Sequence, residues 1–151
     1  MINYVIDDVF KSTDDVLVHG CNCFCTMRSG VAGTVSRYYP EAYDADCKTV
    51  IGDESKVGTY TSWTGNHIFH DKQITIVNAY TQHTYGYTKS FVFADYDGIK
   101  KVMTKIHKDF KGKTICMPKI GAGLAGGDWK IIEKILLDVF NDTTINVYVL
   151  E

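Results

Sequence analysis

Apolar positions along the chain change period several times. Residues 2–6 form a short apolar run, and Val16-Leu17-Val18 is a continuous aliphatic one, as in strands buried on both faces. The polar stretch Lys11-Ser12-Thr13-Asp14-Asp15 separates them as a turn. From Gly30 to about Lys48 the spacing becomes helical, with Val31, Val35, Tyr38 and Tyr39 on one side. Pro40 interrupts this run and predicts two helices in place of one. Residues 57–63, 67–69 and 73–77 are short and rich in β-formers. Thr64-Gly65-Asn66 and Asp71-Lys72 between them fit hairpin turns, which predicts an antiparallel meander. Residues 94–110 are amphipathic, with Ile99, Val102, Met103 and Ile106 at helical spacing. A buried strand at 114–117, a helix at 129–140 and a strand at 145–150 complete the pattern.

Strands alternating with helices at both ends, and a meander between, predict an α/β fold. It is expected to be a three-layer α/β/α sandwich with a mixed central sheet. The 151 residues suit one domain spanning 1–151. In such sheets ligands bind at the carboxyl ends of the strands, so the strand-to-helix loops are where chemistry is sought.

Composition narrows the function classes. The net charge of -2 carries no basic excess, so nucleic-acid binding is not expected, and the lysines at 100, 101, 105 and 108 read as a solvated helix face. No apolar run approaches the roughly 18 residues of a membrane span, and the opening MINYVIDDVF lacks the basic start of a leader. A cytoplasmic protein is therefore expected. The five cysteines then read as reduced thiols. Cys21, Cys23 and Cys25 lack the distant second pair of a zinc site. His67 and His70 are placed on opposite faces of a strand. No metal site and no cofactor is expected.

Two strand-to-helix loops stand out. The first runs from His19 to Gly33 and the second from Pro118 to Trp129. Glycines there let backbone N–H groups approach an anion, and the following helix adds partial positive charge. A facing pair of such loops could hold a diphosphate; the other reading is that the glycines only make turns. Gly121-Ala122-Gly123-Leu124-Ala125-Gly126 also matches the dinucleotide fingerprint G-x-G-x-x-G, but that motif belongs on the first strand of its fold, not near the last. No Cys-x5-Arg loop begins at Cys21, and no Walker loop precedes Lys113-Thr114.

With these loops the chain resembles a macrodomain, the ADP-ribose-binding family, over essentially its whole length. The residues that carry the resemblance run from Pro118-x-Ile120-Gly121 to Gly127-Asp128-Trp129, with Val18-His19-x-x-Asn22, Gly30-Val31-Ala32 and Tyr80-Thr81-Gln82-x-x-Tyr85-Gly86. They are most similar to the branch of ADP-ribose 1''-phosphate phosphatases. The resemblance implies that Asp8, with Val9 beside it, accepts the adenine amino group. Gly20, Gly30, Val31 and Ala32 would meet the distal ribose and diphosphate through backbone groups, and Asn22 would hold the distal ribose. Gly121, Ala122, Gly123, Leu124, Ala125 and Gly126 would wrap the phosphates, with Thr81 and Gln82 at the distal end. Tyr148 reads as an adenine wall or as plain core. The implied activity is binding of ADP-ribose and hydrolysis of ADP-ribose 1''-phosphate by a metal-independent phosphatase. His19, Asn22 and Asp128 are its candidate catalytic groups. Asp128 also reads as a helix cap, and His19 as a partner for a backbone carbonyl. The alternatives are a non-catalytic ADP-ribose reader, or a glycohydrolase acting on modified protein. A lysine-dependent branch is disfavoured, because Thr81 or Gln82 stands where its lysine would fall and Ala125 where its aspartate would.

Overall fold

The computed structural model describes residues 1–86 and 91–150. In chain order they form β1 (Ile2–Ile6), β2 (Val16–Cys21), α1 (Gly30–Tyr38), α2 (Pro40–Cys47), β3 (Tyr60–Asn66), β4 (Gln73–Tyr80), α3 (Tyr96–Asp109), β5 (Ile115–Met117), α4 (Trp129–Val139) and β6 (Ile145–Val149). Short 3-10 turns occupy Val9–Lys11 and Glu54–Lys56. The strands make one sheet in the order β1-β6-β5-β2-β4-β3. Every neighbouring pair is parallel except β3 with β4. Five strands therefore end at the same edge of the sheet, and the loops that follow them converge there.

The two faces of β2 show why this order forms. Val16 and Val18 point into a core shared with Ile99, Val102, Met103 and Ile106 of α3 and Ile132 and Leu136 of α4. Leu17 and Cys21 point into a second core with Val35 of α1, Ala42 of α2 and Ile74, Ile76 and Tyr80 of β4. Alternating directions along a strand thus join it to both helical layers, and the sandwich has three layers as expected. Helix boundaries follow local chemistry. Pro40 occupies the first turn of α2, where its missing N–H costs nothing. Asp95 caps α3 by accepting from the Gly98 N–H at 2.9 Å. Among the described residues no helix is long and apolar enough to cross a membrane.

The middle of the chain departs from expectation. It is one hairpin, β3 with β4, instead of a three-stranded meander, and residues 67–69 form no strand. Gly65 lies within β3, where the Trp63 ring folds over it and would meet any added Cβ at 2.2 Å. The connection 67–72 is shaped by histidine. His67 Nε2 lies 3.0 Å from the Ser12 carbonyl oxygen, while its Nδ1 accepts from the N–H groups of Phe69 and His70 at 3.0 and 3.2 Å. His70 Nε2 reaches the Lys11 carbonyl at 2.8 Å. The two rings lie 4.6 Å apart, so they share one side of a turn, contrary to their placement on opposite faces of a strand. Tightening of the chain after Asn66 removes the period of two on which that placement rested.

His67 is thus the acceptor around which the hairpin connection closes. His67→Gln leaves two turn N–H groups without their acceptor and is expected to lower stability by roughly 1–3 kcal/mol in urea denaturation. An unchanged midpoint would show that the ring does not hold the turn.

Candidate functional site

A cleft of about 670 Å³ opens at the carboxyl edge of the parallel strands, within the usual range for small-molecule sites. One wall is the β2–α1 loop with the start of α1, and the facing wall is the β5–α4 loop; the end of β4 closes it with Thr81, Gln82, Tyr85 and Gly86. Ser29 stands at the N-cap of α1 without a side-chain bond into the helix. The N–H groups of Gly30, Val31 and Ala32 consequently have no acceptor among the described residues. Across the cleft, the N–H groups of Gly121, Gly123, Leu124 and Ala125 are likewise without an acceptor among them.

The second loop keeps these donors open by closing on itself. Gly127 N–H bonds to the Gly121 carbonyl at 2.7 Å, and Phe93 and Ala94 both donate to the Ala125 carbonyl, at 2.7 and 3.1 Å. Gly121 and Gly126 have φ of +79° and +73°, a left-handed backbone that suits glycine. Hydrogen bonds thus occupy the carbonyls of Gly121, Gly123 and Ala125, while the N–H groups of Gly121, Gly123, Leu124 and Ala125, residues that line the cleft, stay free among the described residues. Two facing sets of unpaired N–H groups, one on a helix N-terminus, make an anion site of extended shape.

Of the residues expected from sequence, Gly20, Asn22, Gly30, Val31, Ala32, Thr81, Gln82, Gly121, Gly123, Leu124 and Ala125 line this cleft. Asn22 donates from Nδ2 to Thr26 Oγ1 at 2.7 Å and accepts from Phe24 N–H at 2.8 Å, which leaves one donor and one acceptor for a ligand. Ala122 and Gly126 belong to the loop's frame and do not line the cleft. Asp8, Val9 and Tyr148 lie outside the cleft lining, further along the same sheet edge. Asp8 accepts from Phe10 N–H at 3.0 Å, while Val9 is buried in the core against which Tyr148 packs.

Two expected catalytic groups are misplaced for that role. Asp128 is exposed, caps α4 by accepting from Lys130 N–H at 2.9 Å, and does not line the cleft. His19 is fully buried between β2 and α2 and does not reach the cleft either. Its position in β2 pairs it with Asn78 of β4, and the ring meets Asn78 Oδ1 at 2.7 Å. Burial pushes its pKa down to about 4, partly offset by the Asn78 bond. The ring is held back from the cleft behind Cys21, whose Sγ lies 3.7 Å from Nε2 and which does line it.

The cleft holds residues that sequence reasoning missed. Arg28 and Lys119 place cations at its walls. Lys119 Nζ lies 5.7 Å from the Trp129 ring centroid. Asp46 of α2 lines the cleft although it is only 1% exposed. In sequence Asp46 looks like one more acid of a polar helix, beside Glu41 and Asp44. The signal that could have found it is its spacing from Ala42, four residues earlier on the same helix face, which is fully buried. Thr81 is equally hidden, and its Oγ1 is the one buried side-chain polar atom among the described residues without a hydrogen-bond partner.

The depressed pKa of His19 has a consequence for stability. Folding holds the ring neutral, whereas the unfolded chain protonates near the ordinary value of about 6.5. Stability is therefore complete above that pH and falls as pH drops from about 6.5 toward 4, by about 3 kcal/mol in total. His19→Gln is expected to remove that part of the slope, read from urea denaturation at pH 7 and pH 5. An identical slope in both proteins would refute the assignment.

Known proteins resemble the chain in sequence and in fold. A protein of 17.5 kDa from the tk-vs intergenic region of Enterobacteria phage T4 is 38% identical over 125 residues, covering 80% of this chain and 76% of that one. The ADP-ribose 1''-phosphate phosphatase of Debaryomyces hansenii is 30% identical over an alignment of 181 positions that covers both chains fully. The fold matches the macrodomain of Mycobacterium tuberculosis DarG with a TM-score of 0.75 at 20% identity, over 100% of this chain and 99% of the other. The Macro domain family model matches residues 18–136, from within β2 through most of α4, and thus takes in both glycine loops. The chain belongs to the Macro domain family.

Proposed function

We propose that the protein binds ADP-ribose in this cleft and hydrolyses ADP-ribose 1''-phosphate to ADP-ribose and phosphate without a metal. The observation that carries the reading is the pair of facing N–H sets, Gly30 to Ala32 on one wall and Gly121 to Ala125 on the other. Two sets of donors on opposite walls match the two phosphates of a diphosphate, one set to each. The full-length similarity to a phosphatase of ADP-ribose 1''-phosphate supports the choice of reaction.

In this reading Asn22 uses its remaining donor and acceptor on the distal ribose, and Gly20 lets that sugar lie against the end of β2. Room there is controlled by Thr81, whose Oγ1 would sit 2.8 Å from a Cβ at position 20. Asp8, Val9 and Tyr148 would take the adenine at the ends of β1 and β6. The transferred phosphoryl group needs donors for its oxygens and a proton for the leaving sugar oxygen. The free N–H groups supply the donors.

A 31P NMR time course of ADP-ribose 1''-phosphate with the protein, run with and without EDTA, is expected to show orthophosphate growing in both. Calorimetry should give ADP-ribose binding, and Asn22→Ala should weaken it by about tenfold, the worth of one to two good hydrogen bonds. An intact substrate whose resonances shift on binding would make the protein a reader. Absence of any ADP-ribose binding would remove the reading altogether.

A further inference from the structure

A chain of hydrogen bonds runs through the second core and ends at the cleft. Asn78 Nδ2 donates to the Ala42 carbonyl at 2.9 Å and to Thr61 Oγ1 at 3.1 Å, so its Oδ1 faces the His19 ring as acceptor. Thr61 Oγ1 lies 3.1 Å from Tyr80 OH, and Tyr80 OH donates to Asp46 Oδ1 at 2.6 Å. Since Thr61 already accepts from Asn78, its hydroxyl proton turns to Tyr80, and the Tyr80 proton turns to Asp46. Each link from Asn78 onward points the same way, and Asp46 is its final acceptor. Oδ1 is therefore committed to accepting, and a proton held by this carboxyl group must sit on Oδ2. Among the described residues Oδ2 has no partner, and Asp46 is the only carboxylate that lines the cleft.

We propose that Asp46 is the general acid of the reaction, delivering the proton on Oδ2 to the sugar oxygen that leaves phosphorus. This role rests on the phosphatase reading above. As the water oxygen bonds to phosphorus, the bond from phosphorus to O1'' breaks and O1'' takes the Asp46 proton. The protonated phosphate formed from water then returns one proton to Asp46, so ADP-ribose and hydrogen phosphate leave and the acid is restored.

The surroundings of Asp46 make its carboxyl group hold a proton more tightly than an exposed one does. Burial raises its pKa, with the Tyr80 bond and the Lys56 charge pulling the other way. Asp46 also lies in the last turn of α2, which has no basic residue and where the helix dipole opposes a negative charge. The titratable groups around it are Tyr80 of β4, Lys56 of the 54–56 turn, and Cys21, Cys23 and Cys25 of the first loop. Lys56 Nζ bonds to Thr49 Oγ1 at 2.8 Å and lies over the Tyr80 ring, so it is no ion-pair partner for Asp46. A carboxylate kept only for packing would gain nothing from this position.

Asp46→Asn keeps an acceptor for Tyr80 and removes the acid. Its kcat on ADP-ribose 1''-phosphate should fall by about 100-fold or more, while ADP-ribose affinity stays within about threefold and thermal stability stays equal or rises. The wild-type kcat should decline as pH rises through the raised pKa of Asp46, and this decline should vanish in the variant. Tyr80→Phe removes the donor that lowers the Asp46 pKa, so the decline should move to higher pH; it decides the matter if Asp46→Asn does not fold. Turnover within threefold of wild type in Asp46→Asn, or an unmoved decline in Tyr80→Phe, overturns the role of Asp46 and leaves the phosphatase reading standing. Wild-type protein that binds ADP-ribose yet releases no phosphate overturns both, and so identifies the reading as the point of failure.

Discussion

The cleft depends on backbone donors that the fold leaves without acceptors. A parallel strand must pass its chain to a helix across the sheet edge, and the first N–H groups of that helix have no carbonyl within the helix to meet. At α3 and α4 an aspartate closes this gap, Asp95 in one and Asp128 in the other. At α1 the N-cap is Ser29, its side chain makes no such bond, and the chain enters the helix through Gly30 at φ +59°. Among the three helices that directly follow a parallel strand, α1 alone lacks such a cap; α2, which follows α1 and begins at Pro40, has none either. Capping is the default that stabilises a helix by about 1 kcal/mol, so the open end of α1 is a departure that a bound anion explains.

Closing the facing loop needs the opposite device. There the chain bonds to itself and to the segment before α3, through Gly127 to Gly121 and through Phe93 and Ala94 to Ala125. These bonds hold the turn rigid while the donors between them stay free. A loop held in this way loses little entropy when a ligand arrives, which favours binding by preorganisation. The approach is close enough that a Cβ on Gly126 would stand 2.9 Å from the Phe91 carbonyl oxygen. The glycines are therefore part of the frame as much as of the lining, which is why Gly126 supports the cleft without touching it.

Much of this was legible in the amino-acid sequence, for a definable reason. Aliphatic runs such as 16–18 and amphipathic helices such as Tyr96–Asp109 announce themselves, and Pro40 splits α1 from α2 where it should, but β2 runs on to Cys21 and takes His19 into the sheet. Glycine-bearing loops at strand ends likewise point to the carboxyl edge. What period cannot report is the direction of a side chain once the backbone turns. His67 and His70 share a side because residues 67–72 turn instead of extending. His19 follows an aliphatic run into the sheet, so its ring goes to the α2 side of the core, one residue short of the edge where its neighbours Gly20 and Cys21 reach the cleft. A strand register of one residue decides between buried and functional, and it is set by pairing with β4 that the local sequence does not contain.

The two aspartates most easily confused show how environment assigns a role. Asp128 sits at the N-terminal end of a helix, in solvent, with a backbone N–H to accept from, and it does not line the cleft. Asp46 sits at the negative end of a helix, buried, at the end of a hydrogen-bond chain whose last donor, Tyr80 OH, meets Oδ1. The same side chain is a stabilising cap in the first place and an internal cost in the second. Folding gains nothing obvious by keeping a carboxyl group at position 46 when Asn would accept from Tyr80 as well. A polar group retained against its own desolvation, at the floor of a cleft built from phosphate-sized donors, is most simply understood as serving what enters that cleft. His19 and Asn78 then matter at a distance: they fix which way the Thr61 and Tyr80 hydroxyls point, and so which oxygen of Asp46 faces inward to the protein and which outward to a ligand.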